Sequence, residues 1–300
     1  MSFAAQVKAE LAGIRPAAAC CLKAQAYGMV QGGHTFGRGG VSLQTESRDI
    51  AALYTELLAQ VCGCSAPAWQ EPPGGRGFHL VAVTDPAACA RVLGTFGHEP
   101  REVGVHLNRA NLECEQCAAA YLRGLFLACG TASSPQSGYH LEFCIPYYNL
   151  SRDLPLLFAE LGLRVRTVRR KGDYVLYFKE SEQIEDCLTL MGAINATLEL
   201  MNVKMVKDIR NKTNRVINCE SANIDKTVAA AAAQLQAVRH IQQATGALDA
   251  LPPELRTLAQ LRLDNPDLSL RELGQALDPP ISRSGVYHRF RRILAFAQEV

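Results

Sequence analysis

The chain has 300 residues, 48% hydrophobic and 20% charged, with a formal net charge of +2; that much apolar text builds sizeable cores and excludes wholesale disorder. At roughly 100 to 200 residues per ordinary domain, two domains are expected. No run approaches the roughly 18 consecutive apolar residues of a membrane span, and Met1-Ser2-Phe3 leads into charged Lys8 and Glu10 without an apolar signal core, so a cytoplasmic protein with no membrane partner is expected.

Residues 3 to 14 predict a first helix. Residues 18 to 33, AACCLKAQAYGMVQGG, then read as an Ala-rich helix around a central Gly28, and similar text returns at 114 to 130, CEQCAAAYLRGLFLACG, around Gly124. The offset of 96 residues marks an internal duplication. Arg48-Asp49-Ile50 opens an amphipathic segment to Val61, as Arg152-Asp153-Leu154 does to Leu161. Hairpin strands are predicted over Phe78 to Val83 and Tyr174 to Lys179, with turns at Gly37 to Gly40, Pro72 to Gly77, Ser133 to Gly138 and Lys171-Gly172-Asp173. Short helices then end near Gly97 and Gly192. Each half reads helix, strand pair, helix, strand pair, helix, over about residues 15–97 and 114–203, in one α+β domain of residues 1–203. Gly28, Gly32 and Gly33 on one repeated helix, and Gly124, Ala128 and Gly130 on the other, predict close packing of two backbones.

A basic alternation, Arg164, Arg166, Arg169, Arg170 and Lys171, runs along a predicted strand into its turn. It suits either a DNA groove or a solvated face. Its first-half counterpart, Ser65 to Gly77, carries only Arg76, which leaves open whether the N-terminal domain meets DNA or protein.

From Lys204 the text turns polar and Asn-rich, KMVKDIRNKTNRVINCESAN, and predicts a basic linker over 204–221. Lys212, Asn214 and Arg215 in it are expected to follow a DNA backbone, positioning without specifying. Asn223 is placed to cap a long helix through Ala229 to Ala233, and Gly246 to stop it.

Residues 222–300 form the second domain, all-helical. Pro252 and Pro253 suit a first helical turn, and Leu255, Leu258, Leu261 and Leu263 continue to Asn265-Pro266. Ser269 with Glu272 forms a capping box ahead of Leu270, Leu273 and Leu277. After Asp278-Pro279-Pro280, Ser282 caps a third helix with Val286, Phe290 and Ile293 facing inward. Three short helices with a tight second junction make a helix-turn-helix pattern, whose last helix docks in the DNA major groove. That helix carries Arg283, Arg289, Arg291 and Arg292 and no acid as far as Arg292. Ser282, Arg283, Ser284, Tyr287, His288, Arg289, Arg291 and Arg292 are the candidate contacts to double-stranded DNA.

Eleven scattered cysteines in mainly apolar runs suit reduced, buried thiols and no disulfide framework. Cys62 and Cys64 with Cys114 and Cys117 would be a zinc set, but one pair lacks the usual two-residue spacing and the gap between pairs is long; no metal and no cofactor are expected. The glycine-rich stretches Gln31 to Gly40 and Gly74 to Gly77 lack the Gly-Lys-Ser/Thr of a phosphate loop.

The duplicated helix resembles the paired core helices of the LAGLIDADG homing endonucleases, in which each helix presents an acid near its C-terminal end to a catalytic divalent ion. Aligned on AYGMVQGGH and LRGLFLACG, the acid positions here hold Gly33 and Cys129, neither of which supplies the hard oxygen ligands that magnesium needs. A degenerate pair of this kind fused to a helix-turn-helix resembles the bacterial WhiA family. The matching text is FAAQVKAELA at 3–12, AYLRGLFLACG and GYHLEF within 120–143, NRVINCESANIDKTV at 214–228, and ELRTLAQLRLDNPDLSLRELGQALDPPISRSGVYHRFRRI at 254–293. The resemblance implies a duplicated LAGLIDADG-like α/β saddle followed by a helix-turn-helix domain. It also implies a non-enzymatic, nucleoid-associated transcription regulator connected with sporulation, cell division and chromosome segregation, bound to promoter DNA and reaching the transcription machinery or another regulator through its N-terminal domain. The alternatives are a nucleoid protein binding DNA with little sequence preference, and an active homing-type nuclease, against which the missing acids argue.

Overall fold

The computed structural model describes residues 1–64, 67–72, 77–99, 102 and 104–300. The turn expected around Gly74 and the lone Arg76 lie outside these. The chain divides into two compact units, Met1–Lys207 and Asp208–Val300.

The first unit opens with helix α1 (Phe3–Ala12), capped by the Ser2 hydroxyl, which accepts from the Ala5 amide. The repeat follows in the predicted order: α2 (Ala19–Gln31), β1 (Thr35–Gly37), β2 (Gly40–Thr45), α3 (Arg48–Cys62), β3 (Ala68–Gln70), β4 (His79–Val83) and α4 (Pro86–Thr95), then α5 (Cys117–Cys129), β5 (Gly130–Ala132), β6 (Leu141–Ile145), α6 (Tyr148–Glu160), β7 (Arg166–Arg170), β8 (Asp173–Phe178) and α7 (Ser181–Met191). The two antiparallel sheets have the same strand order, β1-β2-β4-β3 and β5-β6-β8-β7. Equivalent pairs point into the core from each, Leu43 opposite Val81 and Phe143 opposite Leu176, all buried.

Helices α2 and α5 cross where the sequence places its central glycines. A Cβ on Gly28 would lie 2.0 Å from the Tyr121 carbonyl oxygen, and one on Gly124 would lie 2.0 Å from that of Gln25. Only hydrogen fits at either position. Gly32 meets Leu125 and Ala128 of α5, but Gly33 and Gly130, also expected at this crossing, serve elsewhere: Gly33 abuts the Ser42 backbone of β2, and Gly130 the Phe126 ring.

Helix α8 (Ile194–Thr245) replaces the expected linker with 52 helical residues. Its start is set by Gly192, at φ +97°, and by the Glu10 carboxylate, which accepts from the amides of Asn195 (2.8 Å) and Ala196 (3.1 Å). No glycine or proline follows until Gly246, at φ +79°. The Asn-rich text has only weak helix preference, but nothing in it breaks a helix. Asn223 therefore lies inside the helix instead of capping it.

The second unit contains the C-terminal part of α8 with α9 (Pro253–Asp264), α10 (Leu270–Gln275) and α11 (Arg283–Glu299). Its core joins Leu255, Leu258, Leu273, Val286, Phe290 and Ile293 to Val238 and Ile241 of α8. Four helices close this core, where the leucine pattern suggests three.

Candidate nucleic-acid interface

Local chemistry fixes the helix-turn-helix. Asn265-Pro266 ends α9, and α10 starts on a complete capping box: the Glu272 amide donates to Ser269 Oγ (3.3 Å) and the Ser269 amide to Glu272 Oε2 (2.8 Å). Hydrogen bonding from the Ser269 side chain, and then from its backbone amide, holds the Glu272 carboxyl below the usual carboxylate range. The turn closes on Gly274, where a Cβ would stand 2.4 Å from the Ile281 carbonyl oxygen, and the Ile281 amide donates back to Gly274 O at 2.9 Å. Ser282 Oγ then accepts from the Gly285 amide at 3.2 Å and launches α11.

Val286, Phe290 and Ile293 of α11 are buried, as their spacing predicts. Arg283, Ser284, Tyr287, His288, Arg291 and Arg292 are exposed, as is the cap Ser282, and Arg289 is half-buried. The structure divides these candidates into two groups. At helical spacing, Ser284, His288 and Arg291 stand opposite the buried stripe, with Arg283 and Tyr287 on one flank. The Tyr287 and His288 rings meet edge to face at 5.8 Å. On the other flank, Arg292 forms an ion pair with Glu254 of α9 at 2.6 Å, and Arg289 Nη1 donates to the Glu254 carbonyl at 3.5 Å. Those two arginines are tied to their own domain, which the acid-free run of α11 did not reveal.

Two basic residues escape a reading of α11 alone. Arg271, exposed on α10, lies on the helix that in this motif crosses the DNA backbone. Arg262 of α9 is only 2% exposed. It donates to Pro266 O (3.1 Å), Leu268 O (2.6 Å) and Gln234 Oε1 (3.0 Å), and its guanidinium lies 5.5 Å over the Phe290 ring. Burial lowers its pKa. It is a packing residue, unavailable to a ligand.

Lys212, Asn214 and Arg215 are exposed on α8. Three-residue spacing puts Lys212 and Arg215 on one face, while Asn214 projects from another. In the first unit, every residue of β7 is exposed; Arg166 pairs with Glu180 (3.2 Å), Arg170 with Glu142 (3.6 Å), and Arg169 lies over the Tyr174 ring.

At Gly33, which the sequence resemblance sets against an endonuclease acid as it does Cys129, a side chain would come within 2.5 Å of the Ser42 carbonyl oxygen. The Cys129 thiol donates to Leu125 O at 3.3 Å, and burial pushes it up to about 12.

Residues 213–297 match the family model described as the WhiA C-terminal HTH domain, and residues 118–210 match the WhiA LAGLIDADG-like domain. A protein of Clostridium botulinum (strain Hall) named probable cell division protein WhiA is 44% identical over 266 residues, covering 86% of this chain and 84% of that one. One of the same name from Thermoanaerobacter pseudethanolicus is 36% identical over 312 residues, covering 98% and 96%. The crystal structure of full-length WhiA from Thermotoga maritima superposes with a TM-score of 0.59 at 21% identity, over 100% of this chain and 99% of that one, and shares the fold.

Proposed function

As the chain belongs to the WhiA family, we propose that it is a sequence-specific DNA-binding regulator of transcription that acts in cell division and chromosome segregation and does not cut the DNA it binds. The observation that carries this reading is the exposed face of α11, where Arg283, Ser284, Tyr287, His288 and Arg291 offer donors and a stacking ring, with no acid among them, on a helix held by a capped, glycine-closed turn. Arginine, serine and histidine at the N-terminal half of such a helix suit base edges in the major groove. Arg271 and the Lys212–Arg215 face suit phosphates, which set register without reading sequence. The name shared by the relatives, probable cell division protein WhiA, supports the cellular process.

Gly33 and Cys129 support the absence of cleavage. Phosphodiester hydrolysis needs divalent metal to activate water and neutralise the leaving oxygen, and neither a glycine nor a protonated thiol anchors magnesium. The N-terminal unit then acts as a surface for the transcription machinery or another regulator, in the cytoplasm at the nucleoid.

Genome-wide mapping of bound sites, followed by anisotropy titrations of a mapped promoter duplex and a random duplex at matched salt, tests this reading. Discrete sites bound at least about a thousandfold more tightly than random duplex support specific regulation. Equal affinities with the same salt slope would refute it in favour of a non-specific nucleoid protein.

A further inference from the structure

The first turns of α2 and α5, with the turn that leads into α5, bring four cysteines together. Cys21 and Cys117 each precede the crossing glycine of their helix by seven residues, two turns along the same face. The duplication that makes the crossing thus also makes this pair, with sulfurs 3.9 Å apart. Cys114 Sγ lies 3.7 Å from Cys20 Sγ, 3.5 Å from Cys21 Sγ and 3.4 Å from Cys117 Sγ. All four sulfurs lie within 4.8 Å of one another. Cys62 and Cys64, the partners that sequence spacing suggests for Cys114 and Cys117, do not belong to the group.

We propose that Cys20, Cys21, Cys114 and Cys117 form a structural zinc site that joins the N-terminal ends of the two crossing helices. With zinc–sulfur bonds of about 2.3 Å, a tetrahedron has sulfur–sulfur edges of about 3.8 Å, and the four separations above, 3.4 to 3.9 Å, fall within about 0.4 Å of that length. Four thiolates this close leave room for a single ion and none for an iron–sulfur cluster. They are also too far apart for disulfides, whose sulfurs lie about 2.0 Å apart. Packing alone does not account for the group, because Cys114 is exposed and Cys20 half-buried, while only Cys21 and Cys117 are buried. The helix ends suit a negatively charged ligand shell. Neither helix has a side-chain cap at its N-terminus, where Ala18 and Gln116 stand, so the positive ends of two helix dipoles lie beside the sulfurs. The Cys114 amide also donates to Cys117 Sγ at 3.5 Å.

A four-cysteine shell has no open position, so this zinc is structural and not catalytic. It links chain segments more than 90 residues apart, one from each half of the duplication, and its binding free energy becomes folding free energy.

The test is the metal content of the full-length protein purified without chelator. Elemental analysis should give one zinc per chain, and X-ray absorption should show four sulfur neighbours at about 2.3 Å. Cys114→Ser changes an exposed ligand and should lose the zinc, whereas Cys219→Ser, exposed on α8, should keep it. If Cys114→Ser fails to fold, mercurial titration of the wild-type chain decides, with stoichiometric zinc release supporting the site. Wild-type protein without metal and with these four thiols free to titrate would overturn the proposal. So would disulfides among these cysteines, iron in place of zinc, or a zinc shell containing nitrogen or oxygen.

Discussion

Removing residues 222–246 from the C-terminal unit should unfold its helix-turn-helix, although every residue of that motif remains. Val238 and Ile241 on the deleted helix are fully buried, and burial of such side chains contributes about 1.5–3 kcal/mol each. Gln234 accepts from the buried Arg262 at 3.0 Å, and a hydrogen bond to a charged group adds about 1.5–3 kcal/mol. Their sum, about 5–9 kcal/mol as an upper estimate, exceeds the roughly 3–5 kcal/mol that so small a core rarely surpasses. Fragment 222–300 should therefore show protected amides in α9 and α11 and a cooperative urea transition. Fragment 247–300 should show neither at 25 °C. Equal protection and equal urea midpoints in the two fragments would refute the claim that α8 completes this core.

The remaining predictions concern the interface and the absent nuclease site. Arg283→Ala should relax sequence preference by about 1–3 kcal/mol at one base pair, while Arg271→Ala should weaken all duplexes alike; systematic binding-site selection on both variants separates the two effects. Replacing Lys212, Asn214 and Arg215 together by serine should lower affinity and reduce the salt slope by about two units, leaving the preferred sequence unchanged, as anisotropy across a salt series will report. Saturating protein with magnesium or manganese should leave a cognate duplex intact on a denaturing gel. Gly33→Asp with Cys129→Asp should lower the melting temperature without producing nicks, because the new Cβ at Gly33 meets backbone at 2.5 Å.

Features carried by neighbouring residues were legible in the sequence. Ser269 with Glu272, Ser282 and the proline breaks fixed the helix-turn-helix, and the recurrence of Gly28 as Gly124 fixed the duplication and its crossing. Features made by distant residues were not. Lys204 to Asn223 reads as coil on composition, yet a helix crosses weak formers when nothing interrupts it and both ends are anchored. Arg262 looks like one more surface cation until Gln234 and the 266–268 loop close over it. Cys20 and Cys21 look like core thiols, since only the helix crossing carries them to Cys114 and Cys117. In α11 the outward stripe is exposed as its spacing predicts, but Glu254, 38 residues before Arg292, decides which arginines are held within the domain.

The matching strand orders of the two sheets have a consequence for how this molecule meets a partner. A dimer of identical chains must offer the same surface twice, so its contacts read the same in either direction. Here one polypeptide carries both copies, and they have diverged: β7 bears Arg166, Arg169 and Arg170, while its counterpart β3 bears Ala68, Trp69 and Gln70. A ligand laid along both sheets meets a cationic end and a neutral one. The duplicated unit therefore offers a partner two unlike surfaces, where a dimer of identical chains would offer the same one twice.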